Sequence, residues 1–159
     1  MSLMHRSQTE FVDRHDAGQR LAGELLHLKE ERPVVLALPR GGVPVAFEVA
    51  KALAAPLDLL MVRKLGAPGH PEYGIGAVVD GSEPQLVLND EAMEIVRPSA
   101  EYIEAEMQRQ LKEIERRRAQ YFSDRAPIPL SGRTAIVVDD GIATGGTVRV
   151  ALKAIRKAN

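Results

Sequence analysis

The stretch Thr134-Ala135-Ile136-Val137-Val138-Asp139-Asp140-Gly141-Ile142-Ala143-Thr144-Gly145-Gly146-Thr147 decides how this chain is read. Residues 134–138 form a short apolar run, the mark of a buried strand, and residues 147–157 follow as a helix. Between them lie two carboxylates and a loop containing Gly141, Gly145 and Gly146. A strand that ends in such a loop and turns into a helix gathers several backbone N–H groups at a positive helix terminus, which is an anion cradle. Glycine lets the backbone approach a phosphate closely and adopt the positive φ that aims successive N–H groups inward, and Thr144 and Thr147 add hydroxyl donors.

Asp139 and Asp140 cannot serve that same phosphate, because like charges repel; they suit a neighbouring pair of hydroxyls or a hydrated divalent cation. A phosphate beside a diol describes a ribose 5-phosphate. A Walker-type loop would place Lys before its Ser/Thr, whereas Gly146 precedes Thr147, so nucleoside triphosphate hydrolysis is disfavoured.

Working outward, residues 13–31 carry Leu21, Leu25 and Leu28 at helical spacing, and Pro33 stops the pattern before Val34-Val35-Leu36-Ala37-Leu38. Helix and then buried strand are expected. Pro39-Arg40-Gly41-Gly42 leads into a helical stretch over 43–55, and Pro56 precedes an apolar run over 57–62. Strand, loop, helix and strand make a right-handed βαβ unit with parallel strands. Residues 63–72, rich in Gly, Pro, His and charge, read as a loop, and 74–79 and 85–88 as a β-hairpin around Asp80-Gly81-Ser82. Ser99 caps a long helix whose stripe runs through Ile103, Met107, Leu111, Ile114 and on from Arg118 to Phe122. The fold class is therefore α/β: an open, mainly parallel sheet with flanking helices and a small inserted hairpin. No Gly-x-Gly-x-x-Gly follows the first strand, which disfavours a dinucleotide enzyme of the Rossmann type.

The string Asp139 to Thr147, behind its apolar residues, resembles the motif with which type I phosphoribosyltransferases bind phosphoribosyl pyrophosphate (PRPP). Leu38-Pro39-Arg40-Gly41-Gly42-Val43-Pro44 resembles the pyrophosphate loop of that family. Val62-Arg63-Lys64-Leu65-Gly66 and Glu72-Tyr73-Gly74-Ile75-Gly76 resemble a bacterial subgroup of it. The resemblance implies a 5-phosphate site at Gly141, Ile142, Ala143, Thr144, Gly145, Gly146 and Thr147, and a pyrophosphate site at Arg40, Gly41, Gly42, Arg63 and Lys64. Asp139 and Asp140 would hold the ribose hydroxyls. It also implies Mg²⁺, held mostly by PRPP and water and touching Asp139 or Asp140, and a nucleobase or other nitrogen acceptor that displaces pyrophosphate from C1. Further implications are neighbouring first and third strands, an unusual or cis peptide at Arg40–Gly41, and more sheet strands beyond Asn159. An alternative on the same fold is a module that senses PRPP or a nucleotide without turnover.

The chain has 159 residues, and its 21 Lys and Arg against 22 Asp and Glu leave a net charge of −1. That balance supplies no field for gathering nucleic acid or an anionic membrane. Without cysteine there is no thiolate chemistry, and no apolar run approaches the length of a membrane span. A cytoplasmic location is expected, and so is a homodimer or larger assembly paired through an apolar strand edge at 134–138, or cover of that edge by the long helix over 99–122. Met1-Ser2-Leu3 reads as an appended leader before a native Met4, with 4–159 as one domain. His70 reads as a solvent-exposed loop residue, Met107 as core, and Arg116-Arg117-Arg118 as a solvated face paired with Glu113 and Glu115.

Overall fold

A computed structural model describes residues 10–122, 125–141 and 146–158. Strand β1 (Val34–Ala37) is buried along its whole length and lies between β2 (Leu57–Leu59) and β6 (Ala135–Val138), both parallel to it. Because successive side chains alternate in direction, Val35 and Ala37 enter one apolar cluster and Val34 and Leu36 the other. A strand covered on both faces must read as continuous apolar sequence, as this one does. The first and third strands of the sequence reading, β1 and β6, are neighbours as expected.

Helix α1 (Arg14–Leu25) begins at Asp13, whose carboxylate accepts the Asp16 N–H at 2.8 Å. It continues as a 3-10 turn over Leu26–Glu31 and stops at Arg32, which has φ 51°. Gly18 and Ala22 are its buried residues and face α2 (Gly42–Leu53). A Cβ on Gly18 would stand 2.8 Å from both the Val45 carbonyl oxygen and the Glu48 Cβ, so the two helix backbones approach each other only because no side chain intervenes.

Residues 63–72, expected as a loop, belong instead to β3 (Val62–Ala67) and the start of β4 (His70–Val79). The two strands join at Pro68-Gly69, where Gly69 takes φ 72°. The first five residues of β4 are exposed, so they lack the apolar alternation by which a strand is recognised, and the Pro, Gly and His there look like a loop. The expected hairpin is present as β4 and β5 (Gln85–Leu88), so the inserted sheet has three antiparallel strands, in the order β3-β4-β5. Correspondingly the apolar run 57–62 is not one strand: β2 ends at Leu59 and β3 starts at Val62. Helix α3 (Asp90–Val96) was not foreseen; it spans seven residues, too few to show a period, and is capped by the Asn89 side chain, which accepts the Ala92 N–H at 3.0 Å. Ser99 caps α4 (Ala100–Phe122) as expected, accepting the Tyr102 N–H at 3.1 Å.

Arg116 and Arg117 do pair with Glu113 on the surface. Arg118 does not share that solvated face. It is 7 % exposed and ion-paired with Asp58 of β2 and with Asp80 just after β4, and it also donates to the Leu59 carbonyl at 3.0 Å. Asp58 further accepts the Ile128 N–H and Asp80 the Met61 N–H, both at 2.8 Å. Each step along a helix turns about 100°, so Arg118 lies about 200° round from Arg116, on the buried side. There it ties α4 to elements of both sheets. Helix α5 (Gly146–Ala158) covers the second apolar cluster with Ala151 and Ala154.

Candidate active site

Strands β1 and β6 end level with each other: Ala37 pairs with Val138, and the Leu38 N–H donates to the Val138 carbonyl at 2.9 Å. The chain leaves β1 through Pro39-Arg40-Gly41 and enters α2 at Gly42, whose N–H returns to the Leu38 carbonyl at 3.1 Å. Beyond β6 come Asp139 and Asp140. The two segments touch. A Cβ on Gly42 would lie 2.6 Å from the Val138 carbonyl oxygen and 3.1 Å from the Asp139 Cα, and one on Gly41 would collide with the Asp140 carboxylate. The cis peptide of this turn lies between Pro39 and Arg40, one residue before the expected Arg40–Gly41 bond. Since β2 and β6 flank β1 on opposite sides, the chain connections diverge at this point, and such a divergence is where open parallel sheets hold ligands.

The two carboxylates differ. Asp139 accepts the Asp140 N–H at 2.8 Å and is half-buried; burial, with the contact and charge of the Asp140 carboxylate added, outweighs that N–H bond and pushes its carboxyl above the usual range. Asp140 is exposed and receives both Nε (3.3 Å) and an NH2 group (2.9 Å) of Arg14, and that guanidinium holds its carboxyl below the usual range. Arg14 escaped the sequence reading. Its one signal is a cation at the first residue of a helix, where the macrodipole disfavours positive charge.

Of the anticipated phosphate loop, Gly141, Gly146 and Thr147 are described and exposed; Gly146 and Thr147 open α5. Ile142, Ala143, Thr144 and Gly145 lie outside the described residues. Arg63 and Lys64 alternate on β3 and diverge. Arg63 donates to Gln110 of α4 at 3.0 Å, whereas Lys64 lines an open hollow of about 610 Å³ together with Gly146, Thr147, Arg149 and Lys153. The hollow thus joins the antiparallel sheet to the start of α5. Arg40 is exposed at the turn. His70 is exposed, as expected, although on a strand, and Met107 packs on the core.

Two adjacent carboxylates offer hard oxygen donors that fit a magnesium ion keeping most of its shell as water and ligand oxygens. They stand beside a glycine-lined turn at the ends of two parallel strands, in a chain of α/β architecture. Comparison with known proteins agrees. Residues 7–159 match the family model "Phosphoribosyl transferase domain", and the chain belongs to that family. It is similar to proteins from two strains of Mycobacterium tuberculosis, each named "Putative phosphoribosyl transferase". With each it shares 50% identity over 146 residues, covering 92% of this chain and 32% of the relative. The chain thus spans about a third of the length of the curated relatives it matches. It is also similar to the crystal structure of TT1426 from Thermus thermophilus, with a TM-score of 0.75 and 43% identity over 94% of this chain and 70% of that one. No described helix is long and apolar enough to cross a membrane.

Proposed function

We propose that the chain transfers the 5-phosphoribosyl group of PRPP to a nitrogen acceptor such as a nucleobase, or runs the reverse pyrophosphorolysis, with Mg²⁺. The observation that carries this reading is the contact of the Arg40–Gly42 turn with Asp139 and Asp140, which leaves one ligand facing cation and carboxylates at once. In the forward direction the acceptor nitrogen's lone pair forms the new bond to C1. The C1–oxygen bond breaks, and pyrophosphate departs with that electron pair. The N–H proton of the acceptor passes to solvent.

Asp139 and Asp140 hold the ribose 2- and 3-hydroxyls, and their charge favours the cationic sugar ring of the transition state. Arg40 and the N–H groups of Gly41 and Gly42 receive the charge that develops on the leaving pyrophosphate, and Lys64 meets it from the antiparallel sheet. Gly141 to Thr147 take the 5-phosphate. Magnesium, when bound, offsets phosphate charge and orients the pyrophosphate. No covalent nucleophile is needed, because positioning and electrostatics lower the barrier.

The test is pyrophosphate release from PRPP across a panel of purine and pyrimidine acceptors, with and without Mg²⁺, alongside calorimetric PRPP binding. Acceptor-dependent release supports transfer. Magnesium-dependent binding without release on any acceptor would instead make the chain a PRPP sensor, and absence of binding would remove both.

A further inference from the structure

Arg14 comes from a helix 126 positions away in sequence, yet it ends on the acidic pair. Both of its contacts fall on Oδ2 of Asp140, and the Asp140 N–H occupies Oδ1 of Asp139. One oxygen of each carboxylate is thereby engaged inside the protein, and the two carboxylates also lie against each other. The guanidinium is not delivered by a loose arm. The close approach of Gly18 to Val45 and Glu48 seats α1 on α2, Ala22 is buried between them, and His15 Nδ1 lies 3.2 Å from Glu48 Oε1. Asp140 in turn is backed by Gly41, where any side chain would displace its carboxylate. The charged groups meeting here are Arg14, Asp139 and Asp140; Arg40 is exposed in the adjoining turn, and His15, next to Arg14 in the chain, faces Glu48 of α2. PRPP is a polyanion, and an uncompensated acidic pair would oppose its arrival.

On the functional reading above, we propose that Arg14 is a positioning residue for PRPP: it clamps one oxygen of Asp140, turns the other toward the ribose hydroxyls, and offsets the carboxylate charge facing the pyrophosphate. Its own side chain is 59% exposed, so its removal leaves the fold in place. A bidentate-capable guanidinium on one carboxylate oxygen is replaced incompletely by lysine, which supplies charge without the fork.

Titration calorimetry on the parent, Arg14→Gln, Arg14→Lys, Asp140→Asn and the Arg14→Gln/Asp140→Asn double variant separates the outcomes, with PRPP plus Mg²⁺ and with inorganic phosphate as the two probes. Arg14→Gln should weaken PRPP about tenfold, the order expected for losing a charge-assisted contact, while its phosphate affinity and melting temperature stay at the parent values. Arg14→Lys should recover part of the loss, and Arg14→Gln should add little on top of Asp140→Asn. Unchanged or tighter PRPP binding by Arg14→Gln overturns the inference, tighter binding meaning that the ion pair blocks the site. An equal loss for both probes also overturns it. A parent that binds no PRPP in the presence of Mg²⁺ refutes the functional reading itself, and this inference with it.

Discussion

Gly41 and Gly42 are adjacent and lack side chains for different reasons. The atoms in the way of a Gly42 Cβ are backbone, the Val138 carbonyl and the Asp139 Cα, whereas those in the way at Gly41 belong to the Asp140 side chain. Gly42→Ala should therefore lower stability by about 1–3 kcal/mol, since neither strand nor helix can yield. Gly41→Ala should leave denaturation nearly unchanged and reduce PRPP binding, because only the carboxylate moves. Urea melts and calorimetry on the two variants check this, and the opposite pattern would contradict the packing described. Arg118 supports a second expectation. Without it Asp58 and Asp80 remain buried and uncompensated, so Arg118→Ala should cost about 3–5 kcal/mol at neutral pH. Burial already raises the Asp80 carboxyl, against which the Met61 N–H and then Arg118 pull it down. Losing Arg118 raises it further, and a carboxyl raised in the folded state contributes stability that is present below its unfolded value of 3.8 and lost as pH rises through the folded one. The deficit of Arg118→Ala should thus be smaller at about pH 5 than at about pH 7, and equal deficits would mean that packing, not charge, explains the loss.

Among the elements, α1 connects core and site. Its seat on α2 depends on Gly18, where a side chain would meet the Val45 carbonyl and the Glu48 Cβ at 2.8 Å. Gly18→Val should lift the helix, cost about 1–3 kcal/mol by overpacking, and withdraw Arg14 from Asp140. The expected signature is weaker magnesium-dependent PRPP binding with inorganic phosphate binding retained, measured alongside the melting temperature. A Gly18→Val protein as stable as its parent would mean that the helices separate without penalty.

For the whole molecule, the sheet order β2-β1-β6 leaves β6 at an edge among the described residues, with Ala135, Ile136 and Val137 only half-buried. The long helix α4 packs on β3 and β4, so the cover for this edge does not come from there. An apolar strand edge of this kind recruits another strand. The chain as given should run as a dimer or larger species in light scattering, and a monomer would count against pairing through β6.

The parallel core was legible because a strand buried on both faces has to be written as an unbroken apolar run, and Val34 to Leu38 is one. Gly41 and Gly42 were legible as points of close approach, because a position where another segment comes within reach of the Cα admits no side chain. By contrast, the outer half of β4 passed for a loop, since its exposed residues carry no alternation, β3 did so because Arg63, Lys64 and Gly66 interrupt its apolar residues, and α3 was too short to show a period. The partners of Arg118 and Arg14 lay further out of reach. Asp58 and Asp80 stand 60 and 38 residues from Arg118, and Asp140 stands 126 from Arg14. Sequence alone thus determined where a buried parallel sheet would form, because that is written in neighbouring residues. Which arginine is buried and which reaches the acidic pair was decided only by the tertiary structure, because the choice between solvent and a distant carboxylate depends on how helices and sheets are brought together.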